Sequence, residues 1–219
     1  LVPPIVTQPA LAIRKPATTL YRLHDYVAHG MMTPAQALAL TTAVQERKNI
    51  VVLGSAGAGK TTLVNALLAE VAQTPDRVVL LEEGVPELQC AAPNTVALTT
   101  REGLRSLRDL VKDTLRLRPD RIMIGEVRGG EALDMLKAWS TGHPGGMSTL
   151  HAESALDALL RLEMLAQEAT PTVPKLLIAR SVQYLVTVIR TATGVRRAVH
   201  SIDEVLGVSQ GAYHLRTVA

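Results

Sequence analysis

The chain has 219 residues, of which 47% are hydrophobic, and a net charge of +3 from 23 basic and 20 acidic side chains. This length and composition suit one large globular domain, and so small a net charge does not indicate a protein that binds nucleic acid or membranes through charge alone. Phe is absent and only one Trp and four Tyr occur, which disfavours an aromatic platform for single-stranded nucleic acid. Cys90 is the single cysteine, so no intrachain disulfide forms, as expected in a reducing compartment. No apolar run approaches the ~20 residues of a membrane span, and no signal-peptide pattern is present.

Apolar runs and helical patterns alternate along the chain, which predicts an α/β fold with a mostly parallel central sheet flanked by helices. A turn at 191–194 joins the last two predicted strands in a C-terminal β-hairpin. The Pro-rich residues 1–18 are interpreted as a linker or the end of a missing unit, and 19–219 as one domain. The predicted helices cover 20–29, 34–47, 60–72, 103–117, 130–141, 154–167 and 173–180, and the predicted strands cover 10–14, 50–53, 77–82, 95–98, 120–127, 147–150, 185–190 and 195–202.

A glycine-rich loop with the sequence Gly-Ser-Ala-Gly-Ala-Gly-Lys-Thr at 54–61 follows the strand 50–53 and opens a helix. Strand, loop and helix in this order form the context in which a P-loop binds phosphate. Glycines give backbone N–H groups close access to an anion, Lys60 would reach the β- and γ-phosphates, and the Thr61 hydroxyl would ligate Mg²⁺. The sequence therefore predicts a site for ATP and Mg²⁺. Its predicted nucleotide contacts are Gly54, Ser55, Ala56, Gly57, Ala58, Gly59, Lys60, Thr61 and Thr62.

Three carboxylates follow predicted strands. Glu126 ends the apolar strand after 120, at the sheet edge where nucleotides bind, and is predicted to hold Mg²⁺ together with Thr61. Glu82 and Glu83 end the strand that follows the P-loop helix. Neighbouring strand residues point to opposite faces, so only one of the two is expected to face the nucleotide and activate water. The alternative for each position is a solvated acid at a strand end.

Two histidines, His143 and His151, lie on either side of a Pro-Gly-Gly turn at 144–146. A metal site is disfavoured because no acid lies between them and the single cysteine is distant in sequence. They are interpreted either as sensors of the γ-phosphate or as loop histidines bonded to backbone. Some of the clustered arginines could neutralise phosphate charge, whereas most are expected to be solvated or ion-paired. These arginines stand at 101, 105, 108, 116, 118, 121 and 128.

Several motifs occur in a fixed order: the P-loop, Pro-Glu-Leu-Gln-Cys at 86–90, Gly-Glu-Val-Arg-Gly at 125–129 and Thr-Gly-His-Pro-Gly-Gly at 141–146. Together they resemble the type II/type IV secretion ATPase superfamily, and within it the TrbB-type conjugal transfer ATPases. The resemblance runs from about residue 13 to 205. It implies a RecA-like motor domain that works as a ring, usually a hexamer, with the tail of a missing N-terminal domain before it. It further implies a place at the cytoplasmic face of the inner membrane, where membrane-bound machinery is the partner in substrate transfer or pilus assembly.

The resemblance also assigns residue roles. Aligned on the Glu-Leu-Gln segment, Glu83 takes the position of the family's catalytic glutamate, and Gly84 replaces the usual aspartate. The family arginine falls near Thr99, with Arg101 two residues away as its substitute. The resemblance makes His143 and His151 reporters of the γ-phosphate to the subunit interface. The predicted catalytic residues are Lys60, Glu83, Glu126 and His151, with Arg101 and His143 as further nucleotide contacts.

Two rival functions stay open at this point. A nucleotide-binding switch or scaffold with weak hydrolysis is favoured by Gly84 and Thr99. A RecA-like nucleic-acid motor is disfavoured by the near-neutral charge and the lack of aromatics, and no direct sequence-specific nucleic-acid binding is expected. A small-molecule kinase is less favoured because no acceptor-binding lid is evident.

Overall fold

The computed structural model describes residues 7–11, 20–191 and 197–219. Within these ranges the chain forms seven helices and eight strands, which alternate through the middle of the chain, and its last three elements are strands. The helices are α1 (Leu23–Ala28), α2 (Pro34–Gln45), α3 (Lys60–Val71), α4 (Leu107–Thr114), α5 (Glu131–Ser140), α6 (Ala155–Gln167) and α7 (Lys175–Ser181). The strands are β1 (Ile50–Leu53), β2 (Val78–Glu82), β3 (Thr95–Thr99), β4 (Arg121–Ile124), β5 (Met147–Leu150), β6 (Tyr184–Arg190), β7 (Arg197–Ser209) and β8 (Ala212–Thr217).

The eight strands form one sheet in the order β3-β2-β4-β5-β1-β6-β7-β8. The six strands from β3 to β6 pair in parallel, and β7 and β8 continue the sheet in antiparallel fashion. The carboxyl ends of the parallel strands therefore meet at one edge, the P-loop edge, since β1 leads into the P-loop there. The predicted α/β class with a mostly parallel central sheet is confirmed.

Two apolar layers hold the helices on the sheet. Alternate residues of β1 serve both, since Val51 and Leu53 face one layer and Ile50 and Val52 the other. Helices α1, α2 and α3 cover one face, and α4 to α7 cover the other. Burial on both faces explains why the parallel strands are continuous apolar runs rather than alternating ones.

The C-terminal part of the sheet is larger than the sequence indicated. β6 and β7 pair antiparallel, as the predicted hairpin requires, while residues 192–196 at its turn lie outside the described residues. β7 continues beyond 202 to Ser209 and turns at Gln210 and Gly211, both with positive φ, into the unpredicted strand β8. Polar side chains alternate along β8, and its exposed edge position hides the apolar pattern that identified the buried strands.

Other boundaries differ locally. The helix predicted from residue 103 begins only at Leu107, because the Ser106 side chain caps it by accepting the Asp109 N–H. The predicted strand 10–14 and the proposed boundary at 18 fall mainly on 12–19, outside the described residues. Across the described part of the chain, no helix combines the length and apolarity needed to cross a membrane.

Candidate active site

The P-loop connects β1 to α3 and wraps over the P-loop edge of the sheet. Gly54 has φ +151°, and a Cβ there would lie 2.3 Å from the Val188 carbonyl oxygen of β6, so no larger residue fits without movement. Gly59 takes the left-handed conformation at the start of α3, and no side chain caps that helix. The N-terminal amides and the positive end of the helix dipole are therefore directed at the loop, as an anion site requires.

Lys60 is folded back into the loop. Its Nζ donates to the carbonyl oxygens of Gly54 at 2.9 Å and Ser55 at 3.1 Å, and only 7% of the residue is exposed. Burial lowers the pKa of Lys60, an effect that the nearby carboxylate of Glu126 opposes. The ammonium group thus lies at the loop, bonded to two carbonyl oxygens that phosphate oxygens could replace.

Glu126 and His151 follow β4 and β5, which are neighbours in the sheet. His151 Nε2 lies 2.9 Å from Glu126 Oε1, and its Nδ1 lies 3.4 Å from Lys60 Nζ. The contact with Oε1 has ion-pair distance without hydrogen-bond alignment, so this buried oxygen has no hydrogen-bond partner within the described chain. Glu126 Oε2 accepts from the Arg128 guanidinium, which raises the pKa of Arg128. Lys60, His151, Glu126 and Arg128 consequently form one continuous chain of polar contacts.

The two acids at the end of β2 differ sharply in environment. Glu82 is 6% exposed, and its carboxylate accepts backbone N–H bonds from the following loop. Glu83 is exposed, and its charge contributes to the raised pKa of Arg128, whose guanidinium bonds Glu126. The two acids therefore differ in exposure, and which of them faces a nucleotide stays a prediction.

Two predicted nucleotide contacts lie elsewhere. His143 precedes β5 whereas His151 follows it, so the four residues of the strand, roughly 13 Å, separate them. The His143 ring nitrogen Nδ1 meets the carbonyl oxygen of Pro119, which precedes β4 at the edge opposite the P-loop. The structure thus corrects the expectation that His143 joins the chain's own nucleotide site, because strand direction sends the two histidines to opposite edges.

Arg101 is also remote from the chain's own P-loop. It follows β3, which is separated from β1 by three intervening strands, roughly 19 Å at the usual strand spacing. Its side chain is exposed, and its backbone pairs with Arg105. An arginine side chain cannot bridge that distance, so the expectation of a contact within one chain is corrected. Arg101 does lie at the same edge of the sheet as the P-loop.

A cavity of about 390 Å³ adjoins the P-loop on the side of Thr62, and sequence reasoning missed it. Arg190 ends β6 and is paired in register with Arg197 of β7. A Cβ on Gly57 would lie 3.2 Å from the Arg190 guanidinium, and one on Gly59 would lie 2.9 Å from Arg197 Cδ. Both arginines are far from the P-loop in sequence, and only the pairing of β1 with β6 brings them to it. The lining residues are Tyr21, Tyr26, His29, Met31, Ala58, Gly59, Thr62, Val188, Arg190 and Arg197.

The donors near Lys60 fit Mg²⁺ better than a transition metal. Thr61 offers a half-buried hydroxyl, and Glu126 offers the buried Oε1 that lacks a hydrogen bond. Oxygen donors of this kind, few in number, suit a cation that keeps waters and also takes phosphate oxygens. No group of three or more His, Cys, Asp or Glu able to hold a metal by itself occurs in the described ranges.

Comparisons with known proteins agree with this geometry. The profile of the family described as "Type II/IV secretion system protein" matches residues 2–213. "Conjugal transfer protein TrbB" from Rhizobium radiobacter is 49% identical over 204 residues, covering 91% of this chain and 62% of that protein. "Probable conjugal transfer protein TrbB" from Sinorhizobium fredii is 44% identical over 219 residues, covering 99% of this chain and 66% of that protein. This chain therefore spans slightly less than two thirds of the length of these relatives.

A solved structure supports the same assignment. The VirB11 ATPase of the Brucella suis type IV secretion system, crystallised in complex with sulphate, superposes with a TM-score of 0.68 at 30% identity. The match covers 86% of this chain and 64% of that one.

Proposed function

The chain belongs to the type II/IV secretion system protein family, and we propose that it is the ATP-hydrolysing part of a motor that powers conjugal transfer or type IV secretion. The observation that carries this proposal is the contact chain from Lys60 through His151 to Glu126, at the P-loop edge. A lysine on a P-loop and a carboxylate that follows a nearby parallel strand at the same sheet edge are two parts that nucleotide hydrolysis on such a sheet needs. We propose that this domain is a RecA-like motor.

Each residue then has a defined task. Lys60 exchanges the carbonyls of Gly54 and Ser55 for oxygens of the β- and γ-phosphates, where its charge stabilises the transferring phosphoryl group. Thr61 and Glu126 hold Mg²⁺, directly or through water. The bound Mg²⁺ supplies positive charge at the β- and γ-phosphate oxygens.

Water activation is assigned to Glu83. It is the exposed member of the acid pair and its charge acts on Arg128, so it is the carboxylate assigned to accept a proton from water at the γ-phosphate. His151, between Lys60 and Glu126, holds both groups in position and changes partner when phosphate arrives.

The nucleoside half of ATP is assigned to the cavity on the side of Thr62. Its volume of about 390 Å³ lies within the usual range for small-molecule pockets. Arg190 and Arg197 bring positive charge to the sugar and base, and Tyr21 offers the base an aromatic face.

Assembly is part of the proposal. Arg101 lies at the P-loop edge but at the far side of the sheet, where it could serve the site of a neighbouring subunit rather than its own. We therefore propose a homo-oligomeric ring, hexameric as the family resemblance implies. Its working place would be the cytoplasmic face of the inner membrane, with membrane-bound secretion or conjugation proteins as partners.

A second candidate function is a nucleotide-binding switch with weak hydrolysis. Two observations favour it: glycine stands at position 84 instead of an aspartate, and Arg101 is remote from the chain's own P-loop. The two candidates differ in turnover but share nucleotide binding.

The deciding experiment is steady-state phosphate release from the purified chain with ATP and Mg²⁺ at several protein concentrations. Lys60→Ala is the control for contaminating ATPases. Turnover that disappears in Lys60→Ala and rises per subunit with concentration supports a motor completed by neighbouring subunits. ATP binding without turnover in the wild type favours the switch, and equal ATP binding by wild type and Lys60→Ala contradicts the site itself.

A further inference from the structure

The buried carboxylate of Glu82 is engaged with the loop that follows it. Glu82 is the last residue of β2, and its Oε1 accepts the backbone N–H of Glu87 at 2.7 Å and of Leu88 at 2.8 Å. Its Cγ lies 3.1 Å from where a Cβ on Gly125 would stand, so the glycine leaves room for Glu82 across the end of β4. Burial raises the pKa of Glu82, and the two N–H bonds oppose that rise. Two backbone N–H groups thus occupy Oε1, which makes that oxygen a poor acceptor for a proton from water.

The same loop is held a second time, from the P-loop helix. Asn65 of α3 is 5% exposed. Its Nδ2 donates to the carbonyl oxygen of Glu87 at 2.9 Å, and its Oδ1 accepts the N–H of Gln89 at 3.0 Å. Together, Glu82 and Asn65 bond both backbone groups of residue 87 and the amides of the next two residues. These four hydrogen bonds, one buried and three part-buried, fix the backbone because each would be costly to leave unmade.

These hydrogen bonds leave residues 83–86 as a short segment between two fixed points. Glu83 and its three successors are exposed, and Gly84 has φ +67° with open space around its Cβ position. Within the described residues no hydrogen bond holds the Glu83 side chain, so its location depends on where the two ends of this segment are fixed. One end is β2 and the other is tied to α3, the helix that starts at Lys60.

We infer that Glu82 and Asn65 are positioning residues, which together clamp the 87–89 backbone to β2 and α3 and so hold Glu83 at the nucleotide. This inference rests on the proposed function and refines it: Glu82 works as a hydrogen-bond acceptor and not as the base. Because the clamp joins the acidic loop to the P-loop helix, Glu83 and Lys60 keep a constant separation.

A matched set of variants tests the clamp in the full 219-residue chain. Glu82→Gln keeps an oxygen that can accept both N–H bonds, whereas Glu82→Leu has similar bulk and no acceptor. Asn65→Leu removes the second hold. Asn49→Leu is the control, since Asn49 also bonds a carbonyl oxygen and an N–H through its side chain, those of Ser181 and Gly146, but at the opposite edge.

Hydrogen exchange reads the clamp independently of catalysis. The amides of residues 87–89 are expected to be protected in the wild type, in Glu82→Gln and in Asn49→Leu. Protection of the amides of residues 87 and 88 should fall roughly tenfold or more in Glu82→Leu, and that of residue 89 likewise in Asn65→Leu, because buried bonds are lost. Unprotected amides in the wild type, or unchanged protection in both Glu82→Leu and Asn65→Leu, would contradict the clamp.

Turnover measurements test whether the clamp holds Glu83 in place for hydrolysis. We expect kcat in Glu82→Gln to stay within about threefold of wild type, and kcat in Glu82→Leu and Asn65→Leu to fall roughly tenfold or more with little change in the Kd for ATP. A Glu82→Gln variant that binds ATP but is as inactive as Glu83→Gln would instead identify Glu82 as the base. Wild-type chain without turnover would contradict the proposed function, while the exchange measurement would still decide the clamp.

Discussion

His151 Nε2 lies 2.9 Å from Glu126 Oε1 across the ends of two neighbouring strands, and no hydrogen bond from the described part of the chain satisfies that buried oxygen. The other ring nitrogen of His151 lies 3.4 Å from Lys60 Nζ. One imidazole thus spans the carboxylate assigned to Mg²⁺ and the lysine assigned to phosphate. Any cation or phosphate entering the site must exchange with these contacts, which makes His151 the link between occupancy and geometry.

Replacing His151 should slow hydrolysis more than it weakens binding. In His151→Gln we expect kcat to fall roughly 10- to 100-fold, the usual cost of losing a side chain that orients a metal-binding carboxylate. The Kd for ATP should change by less than about threefold, because the P-loop backbone is intact. His143→Gln is the matched control at the other edge of the sheet. Stopped-flow binding and phosphate release measure the two quantities, and equal losses of kcat in both variants would refute the separate roles.

Gly54 should be intolerant of any side chain. Gly54→Ala brings its Cβ to the Val188 carbonyl oxygen, a collision with backbone that cannot relax easily. We expect a loss of about 3 kcal/mol or more in the free energy of unfolding, from overpacking added to dihedral strain.

Gly84→Ala is the comparison for Gly54, since Gly84 also has positive φ but faces open space. Its cost should be about 1 kcal/mol, the strain of a left-handed alanine alone. Urea unfolding of both variants gives the difference. Equal costs would mean that the contact with β6 does not determine the requirement for glycine.

Asp76 should carry a pH-dependent part of the stability. Burial by itself would raise the pKa of Asp76, but the hydrogen bond and charge of Arg121, joined by Arg47, lower it below its usual value. A depressed folded-state pKa stabilises the fold above the unfolded pKa of about 3.9, and this stabilisation is lost as the pH falls through the lower folded value. We therefore expect unfolding free energy to drop below about pH 4.

The variant Asp76→Asn removes that acid-sensitive part and leaves Arg121 buried without its counter-ion. We expect a loss of about 3–5 kcal/mol at pH 7 and a flatter pH dependence below 4. Glu46→Gln breaks the exposed pair with Lys48 and should cost less than about 1 kcal/mol. Urea titrations between pH 3 and 7 provide the comparison. A wild-type curve with the same acid limb as Asp76→Asn would contradict the assignment.

The cavity beside Thr62 should contribute to the binding of ATP but not to the binding of an inorganic phosphate chain. In Arg190→Ala we expect the Kd for ATP to rise roughly fivefold, as for about 1 kcal/mol of lost cation contact. Inorganic tripolyphosphate has no nucleoside, so its Kd should hardly change if the arginine acts on the sugar and base. Competition against a fluorescent ATP analogue measures both constants. Equal weakening of the two ligands would place Arg190 at the phosphates instead.

Sequence alone was sufficient where the requirement is local. The P-loop needs glycine at a few adjacent positions and a helix that starts at once, and both are written in consecutive residues from Gly54 to Lys60. The buried parallel strands are recognisable in the sequence as continuous apolar runs. The direction of β5 was also contained in the sequence, and it already implied that His143 and His151 reach opposite edges.

Only the tertiary structure decided what depends on which strands become neighbours. Pairing of β1 with β6 brings Arg190 to the P-loop, and the strand order sends Arg101 to the far side of the sheet. Glu82 and Glu83 are the same residue type at adjacent positions, and nothing local distinguishes them. Packing distinguishes them, because one carboxylate is enclosed by backbone N–H groups from five and six residues ahead while the other stays in solvent. Strand pairings such as that of β1 with β6 come from burying apolar surface across the whole sheet, which no short stretch of residues encodes by itself.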